Sequence, residues 1–359
     1  MFLMTGPALP DLGMIEGRFG RLWTPEERGH VVRTLASAGY SFYHYGPKGD
    51  AALRRNWRIA HDPAQTEALT QLSAEVRAAG MRFGMALTPI GSTHPFDDAV
   101  RADLTRRIAD LDAIGIDDLA ILFDDLRGDL PELAARQAAV VNFCASISQV
   151  TRVYMCPTYY SDDPVLDRVF GARPVDYLGD LGRMLDPAVQ VYWTGEEVCA
   201  REIGVGHLRA VAGALGRRVC LWDNYPVNDG VRMSRHLHLR AFTGRSAAIA
   251  PWLTGHAINP MIQARLGCVP ALTLPLLYHR GEDYAYGAAF AEVATGLLGK
   301  ELAELLQQDL LKLQDSGHDR LDIAPLRARY GALDHPAAQE AVRWLDGLDL
   351  MTDAEVQTQ

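Results

Sequence analysis

Hydrophobic and polar positions along this chain fall into a repeating two-part rhythm. Short, continuous apolar runs bounded by glycine or polar residues are separated by longer amphipathic segments. A short run with no polar alternation is what a parallel strand buried on both faces requires, whereas the longer segments carry the helical period. The first run covers residues 12–16. Thr24-Pro25-Glu26-Glu27 then opens a helix, with Thr24 as N-cap, Pro25 at the first helical position and Glu27 completing a capping box, and this helix runs to about residue 39. Residues 40–45 form an aromatic-rich second strand, followed by the loop G-P-K-G-D. Asp62-Pro63 starts a helix ending near residue 80, residues 81–87 a third strand, 97–115 a helix and 119–123 a fourth strand. A helix over about 130–149, a strand at 152–156, the loop P-T-Y-Y-S-D-D-P and a helix near 175–185 come next. Residues 189–193 read as strand six, about 206–215 as a helix, 219–222 as strand seven and 247–250 as strand eight, followed by a loop carrying Asn259. Residues 233–239 form a less clearly marked segment between strands seven and eight.

Strand–helix alternation over about 250 residues predicts an α/β fold, and eight units predict a (β/α)8 barrel. The expected division is a barrel over 1–265 and a C-terminal helical layer over 266–359. Within the layer, 281–313 and 336–348 carry helical composition, to be packed on the barrel or on a second copy of the chain.

The balance of 359 residues, 48% hydrophobic and 22% charged, is ordinary for a globular protein. A net charge of −10 argues against nucleic acid and anionic membrane surfaces as partners. Cys144, Cys156, Cys199, Cys220 and Cys268 are scattered, with no CxxC or Cys/His ligand spacing, and read as buried reduced thiols of a cytoplasmic protein. The N-terminal M-F-L-M-T-G-P-A-L-P has no basic start and no adequate apolar stretch for a secretory leader, and no run of about 18 apolar residues predicts a membrane span. Gly204-Val205-Gly206 lacks the third glycine of a dinucleotide fingerprint, His236 and His238 lack a carboxylate at ligand spacing, and no phosphate loop is present. Neither a cofactor nor a metal is expected.

The strand at 119–123 delivers two adjacent carboxylates, Asp124 and Asp125, to the point where it emerges into a loop. Neighbouring carboxyls are difficult to ionise together, which suits a proton donor working beside a charged stabiliser. An Asp-Asp pair is more often a solvated turn, so its company matters. At the ends of the other strands stand Gly17, Lys48, Tyr159 and Tyr160, the run from Trp222 through Asn224 to Asp229, and Asn259. Barrel chemistry collects at those ends. Carboxylates and amides pair with hydroxyls while an aromatic face covers an apolar ring side, which is the composition of a sugar site. Individually each has a plainer reading: Trp222 as core, Lys48 as a solvated loop residue, Tyr160 as a loop hydroxyl, Asn224 and Asn259 as turn caps, and Asp229-Gly230 as a turn.

Taken together, E-G-R-F-G-R-L-W-T, Y-G-P-K-G-D, L-F-D-D-L, C-P-T-Y-Y, Y-W-T-G-E-E-V, W-D-N-Y-P-V-N-D and I-N-P-M resemble, in collinear order from Gly13 to Gln263, the catalytic domain of glycoside hydrolase family 84. That family includes protein O-GlcNAcases and bacterial β-N-acetylglucosaminidases. The resemblance implies retaining hydrolysis of terminal β-linked GlcNAc assisted by the substrate's own acetamido group, through an oxazoline. It implies Asp124 as partner of the acetamido N–H, Asp125 as general acid and base, and Tyr160 as donor to the acetamido oxygen. Asp229 would hold the O4 and O6 hydroxyls and Asn259 nearby hydroxyls. Asn224, Lys48, the Gly17 backbone and the Trp222 wall would complete the pocket. The chain departs from the family pattern at Arg18, Phe19, Leu22, Gly49 and Tyr159. Arg18 is expected to add positive charge near the rim, which would suit a phosphate- or carboxylate-bearing aglycone. Two other readings stay open: a non-hydrolytic glycan-binding protein on the same barrel, and a hydrolase for another 2-acetamido sugar. The Leu-rich tail makes a homodimer through the C-terminal helices conceivable.

Overall fold

The computed structural model describes residues 9–356. The stretch read as leaderless lies almost wholly outside them. Eight parallel strands close into a barrel in sequence order: β1 Asp11–Glu16, β2 Phe42–Tyr45, β3 Arg82–Leu87, β4 Asp118–Leu122, β5 Arg152–Cys156, β6 Gln190–Trp193, β7 Val219–Asp223 and β8 Leu253–Ile258. β8 pairs with β1 to complete the ring. The (β/α)8 expectation therefore holds. Helix Pro25–Ser37 starts as its sequence dictates, the Glu27 amide donating to Thr24 Oγ1 at 3.2 Å and the Thr24 amide to Glu27 Oε2 at 2.7 Å.

Two local expectations are corrected, and three further helices are present. The eighth strand is not 247–250: Ala247–Trp252 is a 3-10 turn interrupted by Pro251, and the strand lies at Leu253–Ile258. That strand escapes an apolar-run search because Thr254, Gly255 and His256 sit inside it. His256 is buried between Asp223 (Nε2 to Oδ2, 3.0 Å) and the Tyr278 hydroxyl (2.8 Å). Gly255 is needed where the ring closes, since a Cβ there would lie 3.0 Å from Cys220 Sγ and 3.1 Å from the Asp11 carbonyl oxygen. The expected helix over 281–313 is broken at Gly299, which has φ +78°, into Tyr286–Leu298 and Lys300–Leu311. Helix Cys268–Arg280, obscured by Pro270 and Pro275, was not anticipated, nor were Pro164–Phe170 and Ile323–Gly331.

One apolar cluster fills and surrounds the barrel, and a second, including Leu239, Met261, Leu266, Phe290, Leu306 and Trp344, joins the loops after β7 and β8 to the C-terminal layer. The layer grips the loops after β7 and β8. Trp344 Nε1 donates to the Ser234 carbonyl at 2.8 Å, Gln263 Nε2 donates to Asp349 Oδ2 at 3.0 Å, and the Arg265 and Leu266 amides donate to Glu340, each at 2.9 Å at closest approach. Among the described residues no helix is long and apolar enough to cross a membrane.

Candidate active site

Gly17, Lys48, Asp124, Asp125, Tyr160, Trp222, Asn224, Asp229 and Asn259, scattered over the chain, line a single cavity of about 130 Å3 at the C-terminal ends of the strands. Larger depressions of about 540 and 670 Å3 include neither this carboxylate pair nor these asparagines.

The carboxylates at the end of β4 are held differently. Asp124 is buried and forms an ion pair through Oδ2 with Lys48 Nζ, while its Oδ1 is buried without a hydrogen-bond partner. Asp125 accepts from the Tyr160 hydroxyl at 3.3 Å through Oδ1, and its Oδ2 lies 3.7 Å from Lys48 Nζ. Burial pushes the Asp125 carboxyl above the usual carboxylate range. The Asp124 charge adds to that push, against the pull of Lys48, Arg54 and the Tyr160 hydroxyl. The residue also sits at φ +60°, a left-handed backbone that Asp tolerates better than most residues.

The opposite wall is built from amides and an indole. Asn259 Oδ1 accepts from the Gly17 amide at 3.3 Å, and its Nδ2 donates to Asn224 Oδ1 at 3.1 Å. Asn224 Oδ1 also accepts from Trp222 Nε1 at 3.1 Å, and Asn224 Nδ2 donates to the Val198 carbonyl at 2.7 Å. The Trp222 ring stands edge-on to Tyr192 and closes against Gly17, where an added Cβ would lie 2.3 Å from Trp222 Cζ2. Asp229 Oδ2 accepts from the Phe19 amide at 2.9 Å, and burial raises its carboxyl pKa as well.

Cys156, Thr194, Val198, Cys199 and Val227 also line the cavity and were not singled out in advance. The one signal that could have found them is position, because each lies in or just beyond the end of a strand. Cys199 is exposed, so the reading of all five thiols as buried is corrected; burial of its sulfur nevertheless pushes the thiol up to about 11.

Two of the departures from the family pattern, Arg18 and Tyr159, turn away from the cavity. Arg18 is buried, with its guanidinium 5.0 Å from the Trp23 ring and its Nη1 donating to the Arg21 carbonyl at 2.8 Å. The expected charge at the rim is thus corrected: the side chain folds inward, and burial lowers its pKa. Tyr159 points out of the pocket and donates to the Gly171 carbonyl at 2.5 Å. Among the described residues no group of three or more His, Cys, Asp or Glu could hold a metal ion.

A family model described as beta-N-acetylglucosaminidase matches residues 12–309. Mouse protein O-GlcNAcase is 29% identical over 278 residues, an alignment covering 74% of this chain and 30% of the mouse protein, and the rat protein matches to the same extent. The chain therefore corresponds to about a third of the length of those relatives. A solved structure of an aspartate-to-asparagine mutant of Thermobaculum terrenum O-GlcNAc hydrolase superposes with a TM-score of 0.76 at 25% identity, covering 94% of this chain and 73% of that one.

Proposed function

The chain belongs to the beta-N-acetylglucosaminidase family, whose model spans most of it, and from that premise we propose that it is a retaining β-N-acetylglucosaminidase of the O-GlcNAcase kind. Its substrate is a glycoside or glycoprotein with terminal β-linked GlcNAc. The observation that carries this reading is the unlike treatment of adjacent carboxylates: Asp124 is paired with Lys48 and keeps a buried, unpartnered Oδ1, whereas Asp125 is pushed toward its protonated form by burial.

The chemistry follows from that difference. The unpartnered Asp124 Oδ1 accepts the acetamido N–H and orients the amide. The amide oxygen then forms a bond to the anomeric carbon while the glycosidic C–O bond breaks, and Asp125 gives its proton to the departing oxygen. The Tyr160 hydroxyl supports the acetamido oxygen. Asp125, now a carboxylate, takes a proton from water as that water adds to the anomeric carbon and opens the oxazoline ring. Two displacements at one carbon give retention. Asp229 and Asn259 hold sugar hydroxyls, Asn224 fixes Asn259 and the indole, and Trp222 covers the apolar face of the ring.

Release of 4-nitrophenol from its β-GlcNAc glycoside tests the activity, and an alkyl β-GlcNAc tests the proton donor. Asp125→Asn should lower turnover of the alkyl glycoside by roughly 10³-fold, the worth of a general acid, and lower that of the aryl glycoside much less. Cleavage of the alkyl glycoside by that variant at the unaltered protein's rate would end the proposal. Free thiols at all five cysteines fit a reducing compartment, and the cytoplasm is the proposed location. Leu311 and Leu348, 67% and 62% exposed on the C-terminal layer, are what a homodimer would cover, and sedimentation measures that.

A further inference from the structure

Beside the sugar cavity lies a second cleft of about 450 Å3, and Lys48 lines both. Its barrel side presents Arg21, Arg54 and Arg55, and its far wall is the turn Asp353–Glu355 of the C-terminal layer. That turn is seated by Met351, whose sulfur would lie 3.2 Å from a Cβ added at Gly20 and accepts from the Gly230 amide at 3.1 Å. The cleft is therefore formed between the loops after β1, β2 and β3 and the returning chain, and Lys48 is the residue it shares with the cavity of the proposed chemistry.

We infer that this cleft is a second substrate subsite, which takes a carboxylate or phosphate carried by the part of the substrate that extends past Lys48. The inference rests on the glycosidase reading above and deepens it.

Four cationic side chains line the cleft against one carboxylate, in a chain whose net charge is −10. The carboxylate is already engaged, since Glu355 Oε2 accepts from the Thr352 amide at 2.8 Å and from its hydroxyl at 2.9 Å. Three of the cations are engaged as well: Lys48 by Asp124, Arg21 by Glu27, whose carboxylate accepts two bonds of 2.8 Å, and by Asp349 at 3.8 Å, and Arg54 by its own surroundings. Arg54 lies with its guanidinium 5.6 Å from the Phe19 ring, and its charge reaches Asp125. Arg55 is exposed and makes no ion pair or hydrogen bond with another described residue. Positive charge left exposed in a concave wall, as at Arg55, concentrates anions. The planar guanidinium fork matches the paired oxygens of a carboxylate or phosphate. The anion could sit on the aglycone, as in an acidic or phosphorylated peptide around a glycosylated Ser or Thr, or on the sugar itself as an acid-bearing ether.

The test compares kcat/KM within pairs that differ by one negative charge: 4-nitrophenyl β-GlcNAc with and without a ring carboxylate, GlcNAc-Ser peptides flanked by phosphoserine or by serine, and 4-nitrophenyl β-GlcNAc against the corresponding β-N-acetylmuramide. At least one pair should favour its anionic member by about tenfold at low salt, the worth of one charged hydrogen bond. The preference should shrink at ~0.5 M NaCl. Which pair responds tells the aglycone source from the sugar source. Arg55→Glu should reverse the preference in that pair, and because the anionic-to-neutral ratio is compared between proteins, leaving-group differences cancel. Ratios near one in every pair, or a ratio unmoved by Arg55→Glu, would overturn the subsite and leave the glycosidase standing. Failure to cleave any of the substrates would overturn both.

Discussion

Lys48 touches both members of the carboxylate pair, ion-paired to Asp124 and 3.7 Å from Asp125 Oδ2, and this double contact sets the balance of the site. Burial is the larger force raising the Asp125 carboxyl, and the Lys48 charge is the larger force opposing it. Repulsion between the neighbouring carboxylates, which alone motivates the pair when it is read from sequence, comes behind both. The consequence can be measured. The proposed proton donation needs Asp125 protonated, so kcat/KM should decline as pH rises through its raised pKa. Removing the Lys48 charge leaves less to stabilise the carboxylate, so Asp125 keeps its proton to higher pH. The basic limb of kcat/KM for Lys48→Met should therefore move upward even as the maximum falls. A limb that stays in place, or moves down, would exclude this electrostatic link. Asp125→Asn is the clean partner experiment, since Asn also tolerates the left-handed backbone at this position, φ +60°. Residues with a chemical signature were legible in the sequence for this reason: Asp, Lys, Asn and Tyr at strand ends are unusual enough to notice. Val198, Val227 and Thr194 line the same cavity by shape, and a shape contribution leaves no mark on residue type.

At the scale of elements, the barrel closes only where side chains are withheld. Gly84 on β3 faces His44 on β2, and a Cβ added there would lie 2.4 Å from His44 Cδ2 and 3.0 Å from Asp118 Cβ. That imidazole is fixed at both nitrogens, by Asp118 Oδ2 at 3.0 Å and by the Tyr192 hydroxyl at 2.6 Å, and it cannot swing aside without leaving a buried carboxylate short of a partner. Gly84→Ala should therefore destabilise the fold by about 2–3 kcal/mol, as overpacking and a disturbed buried network do. Thermal unfolding should register this as a drop of roughly 5 °C, and an unchanged midpoint would mean that the network has slack. The same polar interior explains which elements could be read in advance. Strands with uninterrupted apolar runs, such as β4 and β7, announce themselves. β8 does not, because its buried His256 answers Asp223 across the sheet, and that partner becomes visible only once the ring is closed. Helix Cys268–Arg280 was hidden by Pro270, in the first turn where an amide has no intrahelical partner, and by Pro275 inside it. The break at Gly299 separates two segments that composition alone joins into one helix.

Across the whole molecule, the C-terminal layer serves the site by gripping its walls. Asn259 and Asp229 stand on the loops after β8 and β7, and the layer holds those loops through Glu340, Trp344, Asp349 and Met351. Glu340, on helix Pro336–Leu345, is the titratable member of that grip. It receives the Arg265 and Leu266 amides, and its neighbours include the charges of Arg265 and Glu27. Burial pushes its carboxyl up to about 7, over the opposing effect of the amide hydrogen bonds. A carboxyl whose pKa is higher folded than unfolded binds more proton in the native state between the two values. Its contribution to stability is therefore full below its unfolded pKa and is lost as pH rises toward 7. The loss for this one group is on the order of 3 kcal/mol. Glu340→Gln keeps the neutral shape and removes the titration. It should unfold near the temperature of the unaltered protein at pH 4.5 and above it at pH 8, the gap opening across that interval. A gap independent of pH would place the pH sensitivity of the fold elsewhere. Activity should follow the same division, because the loop that ends in Arg265 begins at Asn259. A layer loosened by an ionised Glu340 would release the wall proposed to hold the sugar, while the carboxylates just after β4, anchored by the barrel's own core, would stay in place.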